Sequence, residues 1–251
     1  VVSFFSSGEI AWFENNASGI GIGNFGALAT LVTTGPTSGT DYFALGDMDG
    51  DSYPDLLIAL RSEDKVTWYK NDGSINPSFS LGGEVIGPSS GLDAPRSIEL
   101  VDLDNSGTLD VLISANNFLH LASNQGKGVY GVTTFTQSVL ANIVGSCLLT
   151  RSADLTSDGL IDVVYATSAG APFVLVQNAA GFNSPVSLPT HPVNPVAFST
   201  DVAIIPATSS TRVTLAVADS SIQYISLFEA MPSLDGQFAQ PSQINVGTGV
   251  S

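Results

Sequence analysis

The sequence predicts an all-β fold, a β-propeller of four-stranded blades, on three observations. An acidic turn followed at once by an apolar run occurs three times, as GDMDGDSYPDLLIAL (46–60), VDLDNSGTLDVLISA (101–115) and ADLTSDGLIDVVYAT (153–167). Their first aspartates, Asp47, Asp102 and Asp154, stand 55 and then 52 residues apart. A second marker keeps the same beat: IAWFEN ends at Asn15, VTWYKN at Asn71, FLHLASN at Asn124 and PFVLVQN at Asn178, at intervals of 56, 53 and 54. Between the markers, short runs rich in Val, Ile, Leu, Phe and Tyr alternate with clusters of Gly, Asn, Asp, Ser and Pro, as strands and turns do. No segment carries a capped apolar stripe of helical period. A repeat of this length holding four strands is a propeller blade.

The units follow in order within one propeller region, 1–251. The first (1–39) is partial, because VVSFF (1–5) aligns with LLIAL (56–60), the second strand of the next unit. The unit 40–93 is the most regular, with strands expected near 41–46, 55–60, 65–70 and 78–86. Units 94–145 and 146–196 repeat it. The last, 197–251, is degenerate: RVTLAVADSSIQYISLFEA (212–230) keeps a second and a third strand, and INVGTGVS (244–251) resembles a fourth. Its turn, near PATSST (206–211), has no carboxylate, so no metal is expected there. The count is about five blades, the first of three strands. An open sheet edge invites pairing, so closure is expected from a longer parent, from a neighbouring chain or from an irregular five-bladed ring.

Composition narrows the partners. Hydrophobic residues make up 43% and charged residues only 12%, about half the usual charged share. Lys and Arg total 7 against 23 Asp and Glu, a formal charge of -16. That balance repels duplex phosphates and anionic membrane surfaces, so neither nucleic acid nor direct membrane insertion is expected. A hard cation is the natural partner of clustered carboxylates. No run of apolar residues is long enough for a transmembrane helix. The chain begins at Val1 without a basic-then-apolar leader and reads as a processed product. Cys147 is the only cysteine and is expected to be buried.

The acidic turns carry the chemistry. In the first, Asp47, Asp49 and Asp51 fall at positions 1, 3 and 5 and Asp55 at 9, with the Tyr53 carbonyl at 7. Alternate residues of a tightly curled turn converge their oxygens on one point, as in calcium loops, and calcium takes about six to eight hard oxygen ligands. Carboxylates packed this closely repel one another without a cation. The second turn offers Asp102, Asp104, Ser106 and Asp110 with the Thr108 carbonyl; the third offers Asp154, Thr156, Asp158 and Asp162 with the Leu160 carbonyl. Up to three calcium ions are expected. Ranked by charge, the first turn binds most tightly. Gly107 and Gly159 stand at position 6, where the chain bends sharply; the first turn has Ser52 there.

These units resemble the FG-GAP/VCBS repeats of integrin α-chain propellers, of some fungal lectins and of many secreted microbial and algal proteins. In that family a D-x-D-x-D-G-x-x-D loop joins the first and second strands of a blade and binds calcium. The resemblance implies the ligand positions named above. Ser52, Ser106, Thr156 and the missing fourth loop depart from it.

The remaining residues point away from catalysis. His120 and His191 are the only histidines and are 71 residues apart. Arg61, Arg96 and Arg151 are scattered. Trp12 and Trp68 take equivalent places and are expected in the core. Asn16-Ala17-Ser18 is a glycosylation sequon. The expectation is a non-enzymatic, calcium-stabilised module of adhesion or structural assembly, secreted or at the cell surface, binding other protein chains or glycans. A carbohydrate-binding lectin is the alternative, and a polysaccharide lyase the weakest of the three.

Overall fold

The computed structural model describes residues 2–4, 8–15, 25–34, 42–74, 77–128, 133–189, 199–207, 212–219, 224–231 and 237–245. Strands β1 (Val2–Phe4), β2 (Glu9–Asn15) and β3 (Phe25–Thr33) form an antiparallel three-stranded sheet. Strands β4 (Tyr42–Gly46), β5 (Asp55–Leu60), β6 (Lys65–Asn71) and β7 (Phe79–Ile86) form a four-stranded meander. These four lie within a residue of the positions that the alternation of apolar runs and turns predicts.

A single seven-stranded sheet follows, in the order β16-β13-β12-β11-β10-β9-β8. Its strands are β8 (Ser97–Val101), β9 (Asp110–Ser114), β10 (Asn116–Lys127), β11 (Thr133–Ala153), β12 (Asp162–Thr167), β13 (Phe173–Leu175) and, past the small hairpin β14 (Gln177–Asn178) and β15 (Gly181–Phe182), β16 (Val186–Ser187). Two blades are joined here because β11 serves both. It pairs with β10 through Ser146 and with β12 from Cys147 onward. Between Thr133 and Ala153 the only strong breaker is Gly145, which takes a left-handed φ of 85° at the changeover. The chain therefore bends from one blade to the next at Gly145 while its strand stays paired on both sides of the bend. The last sheet is β17 (Ser199–Ile205), β18 (Thr214–Asp219), β19 (Tyr224–Glu229) and β20 (Ser242–Asn245), in that order.

The first strands of consecutive blades lie side by side: β4 against β8, β8 against the end of β11, and β11 against β17. The core lies between blades rather than inside any one sheet. Met48, Leu57 and Trp68 of one blade pack with Val111, Ile113 and Ala122 of the next. Leu103, Leu112 and Leu121 meet Val163, Tyr165 and Leu175 one blade further on, and Leu149, Val164 and Val174 meet Leu215, Val217 and Phe228. A second strand so placed is covered on both faces. DLLIAL, DVLIS and DVVYAT are buried at every residue, which is why they read as apolar runs and not as alternating ones. Each such Leu or Ile side chain contributes about 1.5–3 kcal/mol by leaving water. Among the described residues no helix is long and apolar enough to cross a membrane.

Candidate metal centre

Each acidic turn joins the first and second strands of its blade, and its first aspartate holds the curl. Asp47 Oδ1 accepts the N–H groups of Gly50 (2.7 Å) and Asp51 (3.1 Å), and its Oδ2 accepts that of Ser52 (2.7 Å). Asp102 accepts from Ser106 and Gly107, both at 2.9 Å. Asp154 accepts from Ser157 (2.6 Å), Asp158 (3.1 Å) and Gly159 (3.0 Å). The three turns share one backbone path. Position 6 is left-handed in all of them, at φ 71° for Ser52, 84° for Gly107 and 85° for Gly159. Position 4 is left-handed as well, at Gly50 (74°), Asn105 (56°) and Ser157 (64°). Gly and Asn suit such positions and Ser pays a strain there, and position 4 carries no single residue type that would mark it in the sequence.

The ninth-position aspartates have a second duty. Asp55, Asp110 and Asp162 are 0% exposed. Asp55 accepts the N–H of Met48 (3.1 Å) and of Asn71 (2.9 Å). Asp110 accepts those of Leu103 (3.1 Å) and Asn124 (2.8 Å). Asp162 accepts those of Leu155 (2.9 Å), Thr156 (3.2 Å) and Gln177 (2.9 Å). Each carboxylate thus ties its turn to the end of the third strand. Burial pushes all three carboxyls above the ordinary aspartate range, and these N–H bonds oppose the rise. The third-strand marker in the fourth unit is therefore Gln177, not Asn178, and the true spacing from Asn124 is 53 residues, as it is from Asn71 to Asn124.

Those third-strand amides also reach the preceding blade. Asn124 Nδ2 donates to the Met48 carbonyl at 2.9 Å, and Gln177 Nε2 to the Leu103 carbonyl at 3.1 Å. Met48 and Leu103 are the second residues of the first and second turns, so each turn is bonded to the blade that follows it.

Oxygens of Asp47, Asp49 and Asp55 lie within 4.8 Å of one another, as do those of Asp102, Asp104 and Asp110. Three carboxylates at that spacing fit a hard divalent cation. Asp154, Asp158 and Asp162 do not converge so closely; Asp158 Oδ1 turns to the Leu160 N–H at 2.9 Å, and the Thr156 hydroxyl is buried without a partner. In the second turn, Ser106 Oγ and Thr108 Oγ1 bond each other at 2.8 Å. Tyr53 is exposed, and its ring lies over Gly73.

The first turn differs from the other two in its surroundings. Lys70 Nζ bonds Oδ2 of Asp49 and, at 2.7 Å, Oδ2 of Asp51. Lys127 Nζ lies 3.5 Å from the same Asp49 oxygen. Burial works against the Lys70 charge, but the two carboxylates outweigh it and raise its pKa above the ordinary lysine value. Lys70 in turn holds the Asp51 carboxyl below the usual range.

Elsewhere, His120 and Cys147 are buried, and Trp68 is 5% exposed. Arg151 pairs with Asp201 at 3.2 Å. Arg96 and Arg151 line a cleft of about 460 Å³ among the first strands, with Tyr42 and Ser97. A second cleft, of about 620 Å³, lies beside the stacked rings of Tyr165 and Phe173. Asn16 and His191 lie outside the described residues.

Residues 47–113 match the family model described as an FG-GAP-like repeat, a stretch that begins at the first acidic turn and ends in the strand after the second. No curated protein is significantly similar to the chain in sequence. Among solved structures the chain is similar to the crystal structure of BBS1N in complex with ARL6DN, soaked with lead, with a TM-score of 0.51 and 14% identity. The match covers 82% of this chain and 57% of that one, so the chain spans little more than half its neighbour's length. That neighbour, the BBS1 N-terminal domain, is a β-propeller, and the likeness identifies the fold.

Proposed function

We propose that this β-propeller with its FG-GAP-like repeat is a non-enzymatic interaction module, stabilised by calcium and working outside the cell or at its surface, in adhesion or in an assembly of several chains. The observation that carries the reading is the position of the acidic turns. The first two turns each bond the blade that follows, by Asn124 to Met48 and Gln177 to Leu103. Asp102, Asp104 and Asp110 would hold an ion in the second turn, joined by the carbonyl of Thr108. Calcium there supplies positive charge, offsets the mutual repulsion of the carboxylates and favours the folded state that presents them together. The protein's own groups do the rest: Asp102 curls the turn, and Asp110 anchors it to β10.

A protein partner is favoured over a small substrate. The similar propeller structure is described as a complex with another protein. Lys70 and Lys127 sit on Asp49 and His120 is 1% exposed, so none of these three is placed to serve a lyase. Incubation with uronate polymers, watched for unsaturated products, is expected to give none. Capture of partner chains from extracellular extract is expected to need calcium and to fail with the Asp102→Asn, Asp104→Asn double variant. Capture that is unchanged by chelator and by that variant, or turnover of a polymer, contradicts the reading.

A further inference from the structure

In the first turn, a side chain of the protein stands where a bound cation would neutralise Asp49 and Asp51. Lys70 is the next-to-last residue of β6, immediately before Asn71, whose N–H binds Asp55. The corresponding residues of the next two blades precede Asn124 and Gln177, the residues that bind Asp110 and Asp162 in the same way. They are Ser123 and Val176, and neither carries charge. The antiparallel register of β5 and β6, with Leu56 opposite Tyr69, brings Lys70 alongside the turn, where it meets the acids at positions 3 and 5. Lys127, from β10 of the following blade, approaches position 3 from the other side.

We propose that the first turn carries its own cation. The Lys70 ammonium, assisted by Lys127, neutralises Asp49 and Asp51, so calcium enters the second turn before the first. This rests on the reading of the turns as calcium sites and reverses the order obtained by counting carboxylates. The first turn has four acids, but two ammonium groups face them; the second has three acids, and no lysine or arginine is ion-paired with them among the described residues. An ion entering the first turn must displace Lys70 and then tolerate a like charge a few ångströms away, which is costly at a half-buried site. The turn nevertheless keeps a donor in reserve. The Asp49 side chain is 5% exposed, and its Oδ1 is buried without a hydrogen-bond partner. Without Lys70, that oxygen and the Asp51 carboxylate are left for a divalent ion. Lys70 thereby makes the first blade joint independent of calcium, while the second depends on it.

The test is calorimetric titration of the whole chain with calcium, alongside melts in chelator, for the wild type and for Lys70→Met, Lys70→Arg and Lys65→Met. Lys65 pairs with Glu63 away from the turn and serves as the control. The expected result is that Lys70→Met gains a calcium site or tightens one by about tenfold or more. It should also melt lower than wild type in chelator and recover in calcium. Lys70→Arg and Lys65→Met should follow the wild type. If Asp49→Asn with Asp51→Asn removes a tight site from the wild type, the first turn loads despite its lysine and the proposal is overturned. If the wild type binds no calcium at all, the calcium reading of the second turn fails. The lysine is then judged by the melts in chelator: a Lys70→Met chain as stable as Lys65→Met overturns its role as well, and a chain less stable than both controls upholds it.

Discussion

The side-chain amide of Asn124 donates at 2.9 Å to the main-chain carbonyl of Met48, 76 residues earlier in the chain. Asn124 is 2% exposed, and its Nδ2 also donates to the Leu109 carbonyl at 3.2 Å. One buried amide thus bonds the acidic turns of two consecutive blades. Asn124→Leu keeps the volume and leaves both carbonyls without a donor, which costs about 1–3 kcal/mol for a buried acceptor. Urea unfolding is expected to show a loss of that size. Asn71→Leu should cost less, because Asn71 Nδ2 donates only to Pro54 of its own exposed turn, at 3.0 Å.

Ser52 occupies the left-handed position that glycine fills in the other two turns, at φ 71°. Ser52→Gly relieves that strain, and the smaller cost of ordering a glycine leaves a net gain of about 0.5–1 kcal/mol. Gly107→Ala and Gly159→Ala should destabilise by a similar net amount, about 0.5–1 kcal/mol. Open space surrounds the Cβ position at both glycines, so this penalty comes from backbone alone. Thermal melts of the three variants are expected to rank in that order.

His120 makes a pH-dependent contribution. Burial lowers its pKa below the ordinary value of 6.5. The folded chain resists protonating it, while the unfolded chain protonates it normally. Its stability is therefore complete above about pH 6.5 and declines as pH falls through that value. Asp55, Asp110 and Asp162, raised by burial, work in the opposite sense as acid is added. The difference between wild type and His120→Phe isolates the histidine: the gap in melting temperature is expected to move in favour of the variant between pH 7.5 and 5.5.

Cys147 is fully buried, and burial pushes its thiol up to about 12. A thiol reagent at neutral pH is expected to label the native chain only at the rate of unfolding, and to label it at once in denaturant. Rapid labelling of the native chain would show that the blade joint at Gly145–Cys147 opens readily.

Much of the architecture is legible because its signals are local. DLLIAL, DVLIS and DVVYAT announce second strands, since packing between blades removes the need for a polar face. The acids announce their turns, since Asp47, Asp102 and Asp154 each bond backbone N–H groups a few residues on. Features set by register are harder to read. Gln177 does the work of Asn124 with one more methylene, and the adjacent Asn178 hides the substitution. The continuity of β11 follows from the lack of a breaker other than Gly145, a negative signal that a search for turns passes over. Lys70 has no sequence relation to Asp49; only the pairing of β6 with β5 brings them together.

Calorimetric melting of the whole chain in saturating calcium and in chelator, for the wild type and for the Asp102→Asn, Asp104→Asn variant, decides whether calcium in the acidic turns supports the fold. At a hundredfold excess over its dissociation constant, one ion stabilises by about 2.7 kcal/mol, or roughly 5–10 °C for a chain of this size. The wild type is predicted to gain that much in calcium, and the variant to gain little. Equal melting temperatures for the wild type in calcium and in chelator, within a degree, would show that the turns hold no stabilising ion.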